Sequence, residues 1–137
     1  MSGQPRVAFV DDDPRLRSLI AEELQDQGVL PLAFSTGQEL LDHLDREQVD
    51  LILLDLMMPV MDGLTCLRHL KEREQEVPIL VATSFNDEIK RQESIEAGAA
   101  DYINKTDLFD CLPELLDTHL KNVETHVIKL IKYRLIK

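Results

Sequence analysis

The feature that most constrains the fold is a run of four apolar residues, Leu51-Ile-Leu-Leu54, that stops at a single carboxylate, Asp55. Pro59 and then Asp62-Gly63 follow closely. A short, uniformly apolar run with turn residues behind it fits a strand buried on both faces, as in a parallel sheet. A carboxylate at the carboxyl end of such a strand lies at the mouth of the sheet, where open α/β proteins bind ligands. Asp55 is therefore placed for chemistry rather than for packing.

The rest of the chain repeats the pattern. Arg6-Val-Ala-Phe-Val10 ends at Asp11-Asp12-Asp13-Pro14, which predicts a first strand and then a helix from Pro14, with Asp13 as its cap. Leu16, Leu19, Ile20 and Leu24 recur at helical spacing and Gly28 ends that helix. A second strand over 29–34 leads through Ser35-Thr36-Gly37 into a helix carrying Leu40, Leu41 and Leu44. After strand 51–55 and Asp62-Gly63 comes a helix with Leu64, Leu67 and Leu70, then a strand over 78–83 and a helix over about 87–97 closed by Gly98. A fifth strand, Asp101-Tyr-Ile-Asn104, delivers Lys105, and a last helix is predicted to begin near Asp110 to Pro113. Strictly alternating strands and helices imply right-handed crossovers and an α/β fold, a doubly wound parallel sheet covered on both sides.

With 137 residues, the chain is one domain of ordinary size, and 44% apolar with 30% charged residues suits a soluble globular protein. No apolar run approaches the ~20 residues of a membrane span, and the first residues have no signal-peptide character. Cys66 and Cys111 lack metal-type spacing, which points to free thiols in a reducing cytoplasm. A net charge of −11 argues against direct contact with nucleic acid, which rests on neutralising phosphates. Residues 1–117 hold 10 basic and 25 acidic side chains, whereas 118–137 hold 5 basic and 1 acidic, so body and tail serve different ends.

The carboxyl ends of the predicted strands present Asp11 and Asp12, Asp55, Thr83 and Ser84, and Lys105. A parallel sheet puts all of them on one edge. Two carboxylates about 5 Å apart cost roughly 3 kcal/mol at an effective dielectric of 20, so either a pKa rises or a cation binds. Hard oxygen ligands with an incomplete shell suit Mg²⁺, which keeps waters and shares ligands with a phosphate. The chemistry that follows is phosphoryl transfer, with Mg²⁺ and Lys105 neutralising the developing charge.

Across residues 5 to about 121 the sequence resembles the receiver domain of two-component response regulators. The matching marks are Val10-Asp11-Asp12, Asp55 followed by Met58-Pro59-Val-Met-Asp62-Gly63, Thr83-Ser84 after an apolar strand, and Gly98-Ala-Ala-Asp101-Tyr102 leading to Lys105. The resemblance implies a flavodoxin-like sheet of five parallel strands in the order 2-1-3-4-5. It implies that Asp55 accepts phosphate from a phosphohistidine of a sensor histidine kinase or phosphotransfer protein. Asp12 would bind Mg²⁺ directly, Asp11 largely through water, and the backbone carbonyl of Met57 would add a ligand. Lys105, the Thr83 hydroxyl and the Ser84 amide would hold the phosphoryl oxygens. Thr83 and Tyr102 would form the switch, moving the face around the fourth helix, fifth strand and fifth helix toward an output domain or protein.

Plainer roles remain for some residues. Asp13 before Pro14 reads as a helix cap, and Asp62 before Gly63 as a turn or cap residue. The histidines at 43, 69, 119 and 126 read as solvated or boundary helix residues. Two departures from the family stand out. The family usually follows its lysine with proline in a cis peptide, whereas this chain has Lys105-Thr106; a cis bond without proline costs ~2.5–4 kcal/mol, so the bond is either trans or strained. Met57 and Phe85 place apolar bulk beside the pocket, where they would hinder an in-line water and lengthen the phosphoryl lifetime.

Leu116, Leu120, Val123, Val127 and Leu130 continue at coiled-coil spacing. The expected division is therefore a receiver over 5–121 and a helical extension over 122–137, with a linker role or a homodimer through 112–137. Two other functions compete. An aspartate-nucleophile phosphohydrolase commonly wants an acid where Met57 stands, and a phosphate-independent interaction module would normally have lost part of the acid, threonine and lysine set.

Overall fold

Side chains in a strand point alternately to its two faces, and that period of two divides the core of this protein in half. The computed structural model describes residues 3–56, 62–73, 76–84 and 88–120. Among them are five strands, β1 (Arg6–Val10), β2 (Leu30–Phe34), β3 (Leu51–Asp55), β4 (Ile79–Thr83) and β5 (Asp101–Asn104). They alternate with α1 (Pro14–Asp26), α2 (Gly37–Leu44), α3 (Gly63–Glu72), α4 (Glu88–Glu96) and α5 (Leu108–His119). The strands form one parallel sheet in the order β2-β1-β3-β4-β5, the doubly wound flavodoxin-like arrangement.

Val7, Phe9, Leu51, Leu53, Leu80 and Ala82 face one way and pack with Ile20 and Leu24 of α1 and Leu108, Leu112 and Leu116 of α5. Their neighbours Ala8, Val10, Ile52, Leu54, Ile79 and Val81 face the other way, onto Leu40 and Leu41 of α2 and Leu64, Leu67 and Leu70 of α3. Each buried leucine contributes roughly 2 kcal/mol, against about 0–1 kcal/mol for a surface ion pair such as Arg6–Glu47. The two apolar layers, not the surface charges, hold the fold. Cys66 lies inside the second layer and both cysteines are free thiols; burial pushes the Cys66 thiol up to about 11.

The glycines expected to end α1 and α4 do so, Gly28 with φ 84° and Gly98 with φ 114°. β2 is an edge strand, which is why it tolerates Pro31. The last helix begins earlier than the sequence suggests. Leu108 is 1% exposed and starts the stripe Leu108, Leu112, Leu115, Leu116, so its burial extends the helix upstream and leaves Pro113 inside it. A single 3-10 turn, Lys105–Asp107, joins β5 to α5. Helix α5 ends at His119, where Leu120 turns extended with φ −81° and ψ 103°. The extension predicted over 122–137 lies outside the described residues, as does His126. No helix among the described residues is long and apolar enough to cross a membrane.

Candidate functional site

Strand register assembles the site. Val10 pairs with Leu54, so Asp11 follows beside Asp55; Asp55 pairs with Ala82, and Thr83 pairs with Asn104, so Lys105 comes next along the same edge. Asp11, Asp12 and Asp55 each offer a carboxylate oxygen within 4.8 Å of the others. Asp11 and Asp55 are 2% and 3% exposed, while Asp12 faces solvent. Lys105 Nζ reaches both buried acids, 2.7 Å from Asp11 Oδ2 and 3.1 Å from Asp55 Oδ2. Four of the residues expected at the strand ends therefore meet.

Beneath them Phe9, Ile20, Leu53, Ala82 and Leu108 close the floor, leaving a space of about 10 Å³, at the limit of what holds one water. The acids must be satisfied from within or from the open side. The expectation was that only a bound divalent ion or a raised pKa could relieve their crowding. The geometry adds a third means, because the Lys105 ammonium already sits between them. Burial alone would pull the lysine's pKa down, but its hydrogen bonds and charge pairing with Asp11 and Asp55 outweigh that and hold it above the ordinary 10.5.

Local hydrogen bonds fix each member. Asp13 caps α1 by accepting from the Arg15 amide at 2.9 Å, as expected, and its own amide donates to Asp11 Oδ1 at 2.9 Å. Behind Asp55, the Gly63 amide donates to the Leu56 carbonyl at 2.9 Å, pinning the start of α3 against the end of β3. Asp62 caps α3, accepting from the Thr65 amide at 2.7 Å. That bond, above all, holds the Asp62 carboxyl below its ordinary 3.8. A group whose folded pKa is depressed stabilises above its unfolded pKa and loses that contribution as pH falls through the folded value. Asp62→Ala is thus expected to lower stability by about 1 kcal/mol at neutral pH. The difference from wild type should shrink below about pH 4, as read by urea unfolding across pH.

Two residues that the motif reading passed over also serve the site. The Lys105–Thr106 peptide is trans, since no cis bond occurs among the described residues. Asn104 shapes the turn instead, its Oδ1 accepting from the Thr106 amide at 3.0 Å and from the Thr106 hydroxyl at 2.9 Å. An asparagine at a strand end is an ordinary turn signal, so this one was legible. Arg17 donates from Nη1 to the Asp11 backbone carbonyl at 2.7 Å. Nothing in the helical pattern marks that contact.

Thr83 is fully buried at the end of β4 and Ser84 is exposed just beyond it. Tyr102 is half-buried on β5 and packs against the core layer on the α2 and α3 side. Met57 and Phe85, expected to crowd the pocket, lie outside the described residues.

Comparison with known proteins bears on this geometry. Residues 7–117 match the family described as the response regulator receiver domain. The transcriptional regulatory protein BaeR of Escherichia coli O6:H1 is 40% identical over 101 residues, 74% of this chain and 42% of BaeR. The transcriptional regulatory protein CpxR of Escherichia coli K12 is 37% identical over 73% of this chain and 42% of its own. The chain thus spans well under half the length of these relatives. Among solved structures, the BeF3-activated N-terminal receiver domain of Klebsiella pneumoniae RstA superposes with a TM-score of 0.80 at 35% identity, covering 85% of this chain and 99% of that one. The chemotaxis protein CheY4 of Vibrio cholerae gives 0.80 at 28% identity, over 86% and 100%.

Proposed function

This chain belongs to the response regulator receiver domain family of two-component signalling, and on that premise we propose that it is a phosphorylation switch whose acceptor is Asp55. The observation that carries the reading is the cluster itself: three carboxylates within 4.8 Å, two of them buried, with one ammonium between them. The cluster fits Mg²⁺, because all its donors are hard oxygens and the exposed Asp12 leaves an open side for water and phosphate. Asp11, Asp12 and Asp55 would hold the ion, with the backbone carbonyl of Met57 as a further ligand. When bound, Mg²⁺ would neutralise the oxygens of the transferring phosphoryl group.

In the transfer, an Asp55 carboxylate oxygen forms a bond to phosphorus as the bond from phosphorus to the donor's imidazole nitrogen breaks, and the imidazole keeps the electron pair. Lys105 is close enough to exchange its contact with Asp55 for one to a phosphoryl oxygen. The Thr83 hydroxyl and the Ser84 amide would hold the remaining oxygens, with Thr83 and Tyr102 relaying the change to the α4, β5 and α5 face. The donor would be a sensor histidine kinase or phosphotransfer protein in the cytoplasm. The partner would be an output domain or protein, with residues 112–137 as linker or homodimer helix. A body as acidic as this one is unsuited to contacting nucleic acid directly.

Incubation with Mg²⁺ and acetyl phosphate, followed by intact-mass measurement, tests the proposal. Wild type should gain one phosphoryl group and Asp55→Asn none. Absence of uptake from acetyl phosphate and from a phosphohistidine donor alike would favour a phosphate-independent interaction module.

A further inference from the structure

Arg17 takes no part in the core layers and none in the transfer outlined above, yet its guanidinium is partly buried and aimed at the site. Its Nη1 donates to the Asp11 carbonyl at 2.7 Å. Asp11 is held at three other points: its amide donates to the Phe34 carbonyl at 3.1 Å, its Oδ1 accepts from the Asp13 amide at 2.9 Å, and its Oδ2 accepts from Lys105 Nζ at 2.7 Å. The first of these ties the turn to β2 and the second ties it to the cap of α1. The Arg17 bond adds a hold on the backbone carbonyl, reaching back from the end of the first turn of α1, where the Arg17 amide makes its own helical bond to the Asp13 carbonyl at 3.0 Å. The residue inside this frame is Asp12, the exposed acid of the cluster, whose direction depends on the turn that carries it.

We propose that Arg17 is a positioning residue for the divalent-cation site, fixing the β1–α1 turn so that the Asp12 carboxylate faces Asp55. The proposal rests on the reading of the acidic cluster as a Mg²⁺ site. It makes a prediction of unusual sign. A cation beside three carboxylates opposes the binding of another cation, so removing Arg17 as a mere counter-charge would tighten Mg²⁺ binding. Removing it as a tether loosens the turn and weakens binding.

The experiment is a Mg²⁺ titration followed by amide NMR on wild type, Arg17→Met and Arg17→Lys, with hydrogen exchange measured on the metal-free proteins. Arg17→Met is expected to raise the Mg²⁺ Kd about tenfold, the lower end of what outer-shell changes do to metal sites. Arg17→Lys, which keeps the charge and a donor, should fall between the two. In metal-free Arg17→Met the Asp13 amide should exchange faster while amides in β3 and β4 keep their protection, which separates a local tether from general loss of stability. Unchanged or tighter Mg²⁺ binding in Arg17→Met, or faster exchange spread evenly through β3 and β4 as well as the turn, overturns the proposal. A wild type indifferent to Mg²⁺ overturns the reading of the site as well, so the two failures are distinguishable.

Discussion

Gly63→Ala is expected to destabilise the protein by about 3 kcal/mol or more, lowering the melting temperature on the order of 10 °C. A methyl group built at Gly63 would lie 2.3 Å from the Asp55 carbonyl oxygen and 2.5 Å from the Leu56 Cα. Both are backbone atoms of the β3 exit, so no side chain can swing aside to make room. Helix propensity acts in the opposite direction, since alanine is favoured over glycine by about 1 kcal/mol within a helix. The clash outweighs it. Because the displaced backbone belongs to the proposed acceptor, phosphate uptake should fall further than stability does. Calorimetry beside an acetyl-phosphate assay at a temperature where the variant is folded measures the two losses separately. A variant as stable and as active as wild type would mean that α3 does not pin β3.

Lys105→Met is expected to have opposite effects on metal binding and on transfer. The ammonium contacts the same two acids that the cation would need, 2.7 Å from Asp11 and 3.1 Å from Asp55. Removing it takes away the ammonium that bridges the two buried carboxylates, and like charges at this separation repel by roughly 3 kcal/mol at an effective dielectric of 20. The metal-free variant should therefore be less stable by about 2–3 kcal/mol, the pocket's open side relieving part of the usual cost of an orphaned buried charge. Mg²⁺ should bind it more tightly than it binds wild type and restore most of that stability. Phosphate uptake should nonetheless drop on the order of 100-fold, because the donor aimed at the developing phosphoryl charge is gone. Thermal unfolding with and without Mg²⁺, and the rate of mass gain, read the two effects. Weaker Mg²⁺ binding with unimpaired transfer would contradict the role assigned to Lys105.

Much of this was legible in the sequence for a specific physical reason. Strands buried on both faces are written as unbroken apolar runs, and each such run here ends at the residue that reaches the mouth of the sheet. Asp11, Asp55 and Lys105 could be placed without coordinates because parallel register is almost arithmetic once the ends are known. Long-range side-chain contacts are not written that way. The reach of Arg17 to a carbonyl six residues back has no periodic signature, and neither does the placing of the Lys105 ammonium between two acids. The start of α5 was misplaced because Pro113 looked like a helix opening, when the burial of Leu108 decides where the helix begins. Gly63 was visible as a turn residue, but the close approach that demands it appears only when α3 is set against β3.

The central claim is that a divalent ion seated among Asp11, Asp12 and Asp55 lets Asp55 take a phosphoryl group. Intact-mass measurement after incubation with acetyl phosphate tests it most directly when wild type is run with Mg²⁺ and again with the metal chelated. The account predicts one added phosphoryl group with Mg²⁺ and almost none under chelation. Equal uptake in both conditions, or uptake that survives Asp55→Asn, would contradict it.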